Sequence, residues 1–282
     1  MVTDWVRKLD ALMSKLGAIH KTEKTTASFS VVCDLDGVLH CGSRVIPGAR
    51  GFVERLNRSG RAFLFLTNSP DHSPRELRLK LKKLGLDLSA SSFYTAGQAI
   101  AAFISAKSKH PRVYVVGSPA LRKELKLIGA VFDDKDPEYV VVASGGRYGT
   151  DEIDKSIELI LKGGRFITAS AEATSPSEKA PTSGCGALVA PIERATGRLA
   201  YAVGKPNHLM IRDVERLHGF NPKECLMIGD SLDTDIDLGV QAGMKTVLVL
   251  SGVTSAADVK RCACKPDYVF ANVGEIDLNE LL

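Results

Sequence analysis

The stretch VVCDLDGVLH, residues 31–40, begins as a buried strand and then sets two carboxylates, Asp34 and Asp36, two positions apart ahead of Gly37. The apolar lead predicts a strand over 28–34. A carboxyl titrates near pH ~4 in water, so Asp34 is ionised at neutral pH unless buried without a partner. An unanswered charge at the end of a buried strand is costly. Asp36 adds negative charge and deepens that cost, so something must offset it.

The surrounding pattern says where to search for what offsets it. Strand-like apolar runs recur at 61–68, 112–118, 138–144, 165–170, 224–230, 245–252 and 266–273, with helical segments between them, those at 49–59 and 74–84 among them. Alternation of this kind predicts an α/β fold, a Rossmann-like, doubly wound and mostly parallel sheet with helices on both faces. Continuous apolar strands fit a sheet covered on both sides. Ligands of such sheets sit beyond the carboxyl ends of the strands. At those ends stand Asp34, then Thr67 and Asn68, then Asp230, while Lys205 lies in the loop VGKPN between two runs. The stretch 97–200 has strands and helices of its own and fewer polar strand ends. It reads as a second α/β unit inserted into the first, leaving a core of 28–96 plus 201–282.

Asp34, Asp36, Asp230 and Asp235, if their strands are neighbours, form an oxygen cluster that calls for a hard cation. Mg²⁺ fits, because it accepts one or two carboxylates, keeps waters and binds substrate phosphate. An ionised aspartate beside such an ion is a candidate nucleophile toward a phosphoryl group. The hydroxyl of Thr67, the amide of Asn68 and the ammonium of Lys205 are donors for phosphate oxygens. Asp36 can protonate the leaving oxygen and later take a proton from water. Each piece alone has a plainer reading. Asp-x-Asp suits a turn or helix cap, Thr-Asn suits a turn, and Asp230, Asp233, Asp235 and Asp237 suit the acidic start of a helix. Their order and common position after apolar runs favour a shared site.

With those motifs in order, the chain resembles a haloacid dehalogenase (HAD) superfamily phosphatase of the NagD-like, para-nitrophenylphosphatase-type branch. CDLDGVL at 33–39, LTNS at 66–69, the lysine of GKP at 204–206 and GDSLDTDI at 229–236 match that family's four motifs. The resemblance spans about 28 to 275 and implies a Rossmann-like core with an inserted α/β cap. It implies Asp34 as nucleophile, Asp36 as acid/base, and Thr67 and Lys205 as phosphate-holding residues. Asp34, the backbone carbonyl of Asp36, and Asp230 match Mg²⁺ ligands, Asp235 a supporting acid, and Asn68 and Ser69 backbone-amide donors to phosphate. The implied reaction is hydrolysis of a small phosphomonoester, a nucleotide, sugar phosphate, phosphoglycolate or similar, through an aspartyl-phosphate. A phosphotransferase or mutase, or a non-catalytic binder of phosphometabolites, are the alternatives. Dehalogenation would leave Asp36 and the metal acids without a task. Two departures stand out: Ser69 where relatives often have Asn, and TASAE at 168–172 where they often have Ala-Thr-Asn-Pro-Asp. The second lies on the implied cap, toward the leaving group. TSGCGALVAPIERATGR at 182–198 keeps the family's Gly-rich entry into a cap strand, and Cys185 within it reads as a buried thiol. Caps of this type often mediate dimers, so a homodimer through the cap is implied.

Composition agrees with this class. With 44% hydrophobic and 25% charged residues among 282, the chain has the balance of a soluble globular protein with room for a sizeable core. A net charge of +4 helps an anionic substrate approach but is too small and dispersed for nucleic acid. Six cysteines without a Cys-x-x-Cys pair read as reduced thiols of a cytoplasmic protein, and Cys262 with Cys264 supply too few ligands for a zinc site. No apolar stretch has the length of a membrane span. At the N-terminus, Trp5, Leu9, Leu12, Met13 and Leu16 recur at helical spacing. They predict an amphipathic helix, with a polar linker to residue 27, in place of a secretory or transit signal.

Overall fold

The computed structural model describes residues 29–281, so the expected N-terminal helix and its linker over 1–27 lie outside the described residues. In chain order the elements are β1 (Ser30–Cys33), β2 (His40–Cys41), β3 (Arg44–Val45), α1 (Ala49–Arg58), β4 (Phe63–Thr67), α2 (Pro74–Lys83), β5 (Phe93–Thr95), α3 (Ala96–Ser105), β6 (Arg112–Val116), α4 (Pro119–Leu127), β7 (Val131–Phe132), β8 (Tyr139–Val142), α5 (Thr150–Leu161) and β9 (Arg165–Thr168). They continue with β10 (Thr174–Ser175), β11 (Thr182–Ser183), α6 (Cys185–Thr196), β12 (Tyr201–Ala202), α7 (Leu209–His218), β13 (Cys225–Gly229), α8 (Asp237–Ala242), β14 (Lys245–Val249), α9 (Ala256–Arg261) and β15 (Tyr268–Phe270).

The chain folds as two units. The first takes the described residues up to Leu66 with Pro74–Tyr94 and the chain from Ile211 onward; the second takes Thr67–Ser73 and Thr95–Met210. The stretch expected as an insert, 97–200, falls in the second unit. That unit also claims Thr67–Ser73, and groups of this short segment bond within it: Ser118 Oγ donates to the Pro70 carbonyl at 2.7 Å and Ser144 Oγ to Asp71 Oδ1 at 2.7 Å.

The first unit is built on a six-stranded sheet ordered β15-β14-β13-β1-β4-β5. Strands from β15 through β4 pair in parallel. Val31, Cys33, Leu226, Ile228, Val247 and Val249 point into one core cluster with Phe52 and Leu56 of α1. On the opposite face Val32, Leu64, Met227 and Leu248 are also buried. Burial on both faces explains why these strands are continuous apolar runs rather than alternating ones. Helix α1 covers the first face because Ala49, Phe52, Val53 and Leu56 repeat at i, i+3, i+4 and i+7. Phe65 is fully buried between Phe63 and Phe93, with ring centroids 5.9 Å away in both cases. Truncating it leaves a cavity, so Phe65→Ala costs about 3–5 kcal/mol, measurable as a lowered denaturant midpoint at unchanged slope.

The same unit holds a buried imidazole. His218, at the end of α7, meets Tyr94 and Phe220 edge-on at centroid distances of 6.4 and 6.1 Å. Its Nε2 finds no hydrogen-bond partner among the described residues. Burial pushes its pKa down from 6.5 to about 4. The unfolded chain therefore takes up a proton near pH 6.5 that the folded chain refuses until about 4, and stability is lost as pH falls through that window. His218→Phe keeps the ring contacts and removes the proton. The variant's stability between those pH values falls less steeply than the wild type's, as read by urea titrations.

The second unit carries a five-stranded parallel sheet ordered β12-β9-β8-β6-β7 and a small antiparallel pair, β10 with β11. Val116, Val140, Val142 and Phe166 of the sheet pack with Leu159 and Ile160 of α5 and Val189 and Ile192 of α6. Here the structure corrects one reading: the Gly-rich segment at 182–198 leads into helix α6, not into a strand. Cys185, Val189 and Ile192 are buried at a helical repeat, which outweighs the β-branched content of the segment. Cys185 is a buried thiol as expected. Its Sγ accepts from the Ser144 N–H at 3.4 Å, and burial pushes its pKa up. Among the described residues no helix is long and apolar enough to cross a membrane.

Candidate active site

The register of the first unit's sheet decides what meets at its carboxyl edge. Cys33 pairs with Ile228, and the Asp34 N–H donates to the Ile228 carbonyl at 2.8 Å. Asp34 and Asp230 therefore leave adjacent strands at the same level. Oxygens of Asp34, Asp230 and Asp235 all lie within 4.8 Å of one another, and all three residues are buried. The cluster is held by directed bonds. Asp230 Oδ2 accepts from the Val253 N–H at 2.8 Å. Asp235 Oδ2 accepts from the Asp230 and Ser231 N–H groups, each at 3.2 Å.

Asp235 reaches back because Leu232–Ile236 winds as a π-helical turn, with the Ile236 N–H on the Ser231 carbonyl five residues earlier. Space for Asp230 comes from glycine. Gly37 stands at φ 82°, and a Cβ there, or on Gly252, would fall on the Asp230 carboxylate. Gly37 thus does more than turn the chain. Gly252 and the Val253 N–H are site elements that motif reading passed over, since SGV offers no signal of its own. Three buried carboxylates this close offer only hard oxygen donors, a set that suits a hard divalent cation.

Asp36 stands apart from that cluster. Its side chain is 37% exposed and lies 3.7 Å from Nδ1 of the buried His40. The turn beneath it is tight: the Gly37 N–H donates to the His40 carbonyl at 2.8 Å, and Ser251 Oγ donates to the Gly37 carbonyl at 2.7 Å.

The remaining expected residues group within the second unit. Thr67 ends β4 and is buried, and Lys205 is 3% exposed despite its charge. Asn68 joins them, but not as its side chain was expected to act. Its Nδ2 donates to Glu172 Oε2 at 2.8 Å and to the Lys205 carbonyl at 3.0 Å, while its Oδ1 accepts from the Lys205 N–H at 2.7 Å. The amide side chain is thus engaged inside the protein and is not offered to a phosphate. The Ser69 N–H, expected as a phosphate donor, instead donates to Thr67 Oγ1 at 3.1 Å. That bond leaves the Thr67 hydroxyl hydrogen free to point elsewhere.

Known proteins resemble the chain over most of its length. Residues 31–131 match the haloacid dehalogenase-like hydrolases and residues 202–276 the HAD-hydrolase-like family. The chain is similar to the ribonucleotide monophosphatase NagD of Escherichia coli, 36% identical over 251 residues that cover 88% of this chain and 98% of that one. The solved structure of that NagD superposes with a TM-score of 0.83 at 34% identity, covering 90% of this chain and 100% of the other. A 4-nitrophenylphosphatase from Thermotoga maritima gives a TM-score of 0.83 at 30% identity, covering 89% and 97%. A glycerol phosphate phosphatase from Mycobacterium tuberculosis, solved in complex with magnesium, gives 0.81 at 27%, covering 90% and 78%. On its sheet order, its acid cluster and these similarities, the chain belongs to the haloacid dehalogenase-like hydrolases, among the NagD-like and para-nitrophenylphosphatase-type phosphomonoester hydrolases.

Proposed function

We propose that the protein is a Mg²⁺-dependent phosphatase that hydrolyses a small phosphomonoester through an aspartyl-phosphate formed on Asp34. The observation that carries this reading is the convergence of Asp34, Asp230 and Asp235 within 4.8 Å at the carboxyl ends of adjacent parallel strands. Mg²⁺ would be held by Asp34, Asp230 and the backbone carbonyl of Asp36, with Asp235 in support, and when bound it would neutralise charge on the phosphate oxygens. The relative solved with magnesium supports that choice of ion.

The residues of the chain take the following parts. The Thr67 hydroxyl, the Asn68 backbone N–H and the Lys205 ammonium hold the phosphoryl oxygens. A carboxylate oxygen of Asp34 bonds to phosphorus as the ester bond breaks, and Asp36 gives its proton to the departing oxygen. Asp36, then ionised, takes a proton from the water that attacks phosphorus. The bond to Asp34 breaks and inorganic phosphate leaves. The relatives' substrates, a ribonucleotide monophosphate, 4-nitrophenyl phosphate and glycerol phosphate, support a small monoester and leave its alcohol open.

A panel of phosphate esters assayed with Mg²⁺ tests the reading. Inorganic phosphate is released, excess EDTA stops the release, and added Mg²⁺ restores it. Full turnover in EDTA would remove the metal from the scheme. Phosphate appearing on an added sugar acceptor instead of in solution would make the protein a phosphotransferase. Ester binding without turnover would make it a non-catalytic binder.

A further inference from the structure

The segment TASAE at 168–172 runs out of β9, and one of its residues makes a specific bond. Glu172 Oε2 accepts from Asn68 Nδ2 at 2.8 Å. The other contacts of the same amide go to both backbone groups of Lys205. An ionised carboxylate only accepts, so it fixes the NH₂ end of Asn68 toward itself and leaves Oδ1 for the Lys205 N–H. One side chain thus grips Lys205 front and back, and Glu172 sets that side chain's orientation.

Glu172 is itself anchored. Its carbonyl accepts from the Gly186 N–H at 2.9 Å in the first turn of α6, and the next carbonyl, of Ala173, accepts from the Gly184 N–H at 2.9 Å. On the other side, the Gly204 N–H donates to the Ala169 carbonyl at 2.7 Å, and a Cβ on Gly204 would strike Asn68 Oδ1 and that carbonyl. The loop after β9, the start of α6 and the loop carrying Lys205 therefore meet at Asn68 within one unit. Nothing in this arrangement requires Glu172 to touch a substrate.

We propose that Glu172 is a positioning residue for Lys205, acting through the Asn68 side chain. The inference rests on the reading of Lys205 as a phosphate-holding residue. Placing the ammonium correctly matters because a displacement of about 1 Å in a catalytic constellation costs up to about 10²-fold in rate. It also predicts a leaving-group-independent effect, since every phosphomonoester presents the same phosphoryl group.

The test uses the full chain with Mg²⁺ and compares wild type, Glu172→Ala, Glu172→Gln, Asn68→Ala and the Glu172→Ala/Asn68→Ala double variant. Glu172→Ala lowers kcat/KM by about 10- to 100-fold, by the same factor on 4-nitrophenyl phosphate and glycerol phosphate, and weakens inhibition by orthovanadate in parallel. Glu172→Gln retains most of the activity, because its Oε1 can accept the same N–H. The double variant is no worse than Asn68→Ala, as expected of residues acting in one chain of contacts. A loss confined to one ester would make Glu172 a leaving-group contact and overturn the proposal. So would activity within about twofold of wild type, or losses that multiply in the double variant. If Glu172→Ala does not fold, Glu172→Asp, which withdraws the carboxylate by one methylene, carries the same comparison. A wild type inactive on every ester would instead overturn the phosphatase reading. The rise in Tm on adding orthovanadate, smaller in Glu172→Ala than in wild type, then still reads the Glu172 assignment, and an equal rise overturns it.

Discussion

Asp34→Asn gives a folded protein whose turnover of 4-nitrophenyl phosphate falls on the order of 10⁴-fold or more. The substitution exchanges one oxygen for nitrogen in a buried, close-packed position. It changes no volume and leaves the backbone bond from the Asp34 N–H to Ile228 in place. What it removes is the oxygen assigned to attack phosphorus. It also removes one of three negative charges whose oxygens lie within 4.8 Å. The stabilisation that wild type gains on adding Mg²⁺ therefore shrinks in the variant. Ordinary turnover by the variant would show that another residue attacks phosphorus. An unchanged gain in Tm on adding Mg²⁺ would show that Asp34 does not hold the ion.

Gly252→Ala comes next in size and has a different cause. Gly252 is not in the left-handed region, so a methyl group there meets no intrinsic backbone strain. The methyl would instead occupy the space of the Asp230 carboxylate. Asp230 must then rotate or the loop must shift, and the bond from the Val253 N–H to Oδ2 is lost. Overpacking of this kind costs about 1–3 kcal/mol in stability. Activity falls about 10²- to 10³-fold, because a carboxylate assigned to the metal leaves its position. Raising the Mg²⁺ concentration recovers part of the loss, which would not happen if the fold alone were damaged. A variant with wild-type activity at low Mg²⁺ would mean that Asp230 is free to move and is not a ligand.

Much of this molecule was legible before its structure. The runs at 28–34, 61–68, 224–230 and 245–252 became β1, β4, β13 and β14 because continuous apolar segments of that length suit strands buried on both faces. The short strands β2, β3, β5, β7, β10, β11 and β12 leave no mark in the sequence. Two or three residues leave no periodicity, and pairing partners rather than local preference create them. Resemblance places a strand after the Gly-rich start of 182–198, while the repeat of Cys185, Val189 and Ile192 suits the helix that forms.

The site divides in the same way. Residue types, their order along the chain and the resemblance they carry nominate Asp34, Asp36, Thr67, Lys205 and Asp230. The sequence groups Asp36 and Asp235 alike with Asp34 and Asp230, whereas the tertiary structure brings Asp235 to them through a π-helical turn that no local pattern specifies and sets the Asp36 side chain beside His40. The tertiary structure alone showed that Asn68 is turned inward to Glu172 and Lys205, residues more than a hundred positions away. It alone gave Gly252 a purpose. Hydrophobic patterning acts through a residue's near neighbours and can be read from them. Hydrogen-bond partners and steric clearances are set by strand register and loop packing, which exist only once distant segments have met.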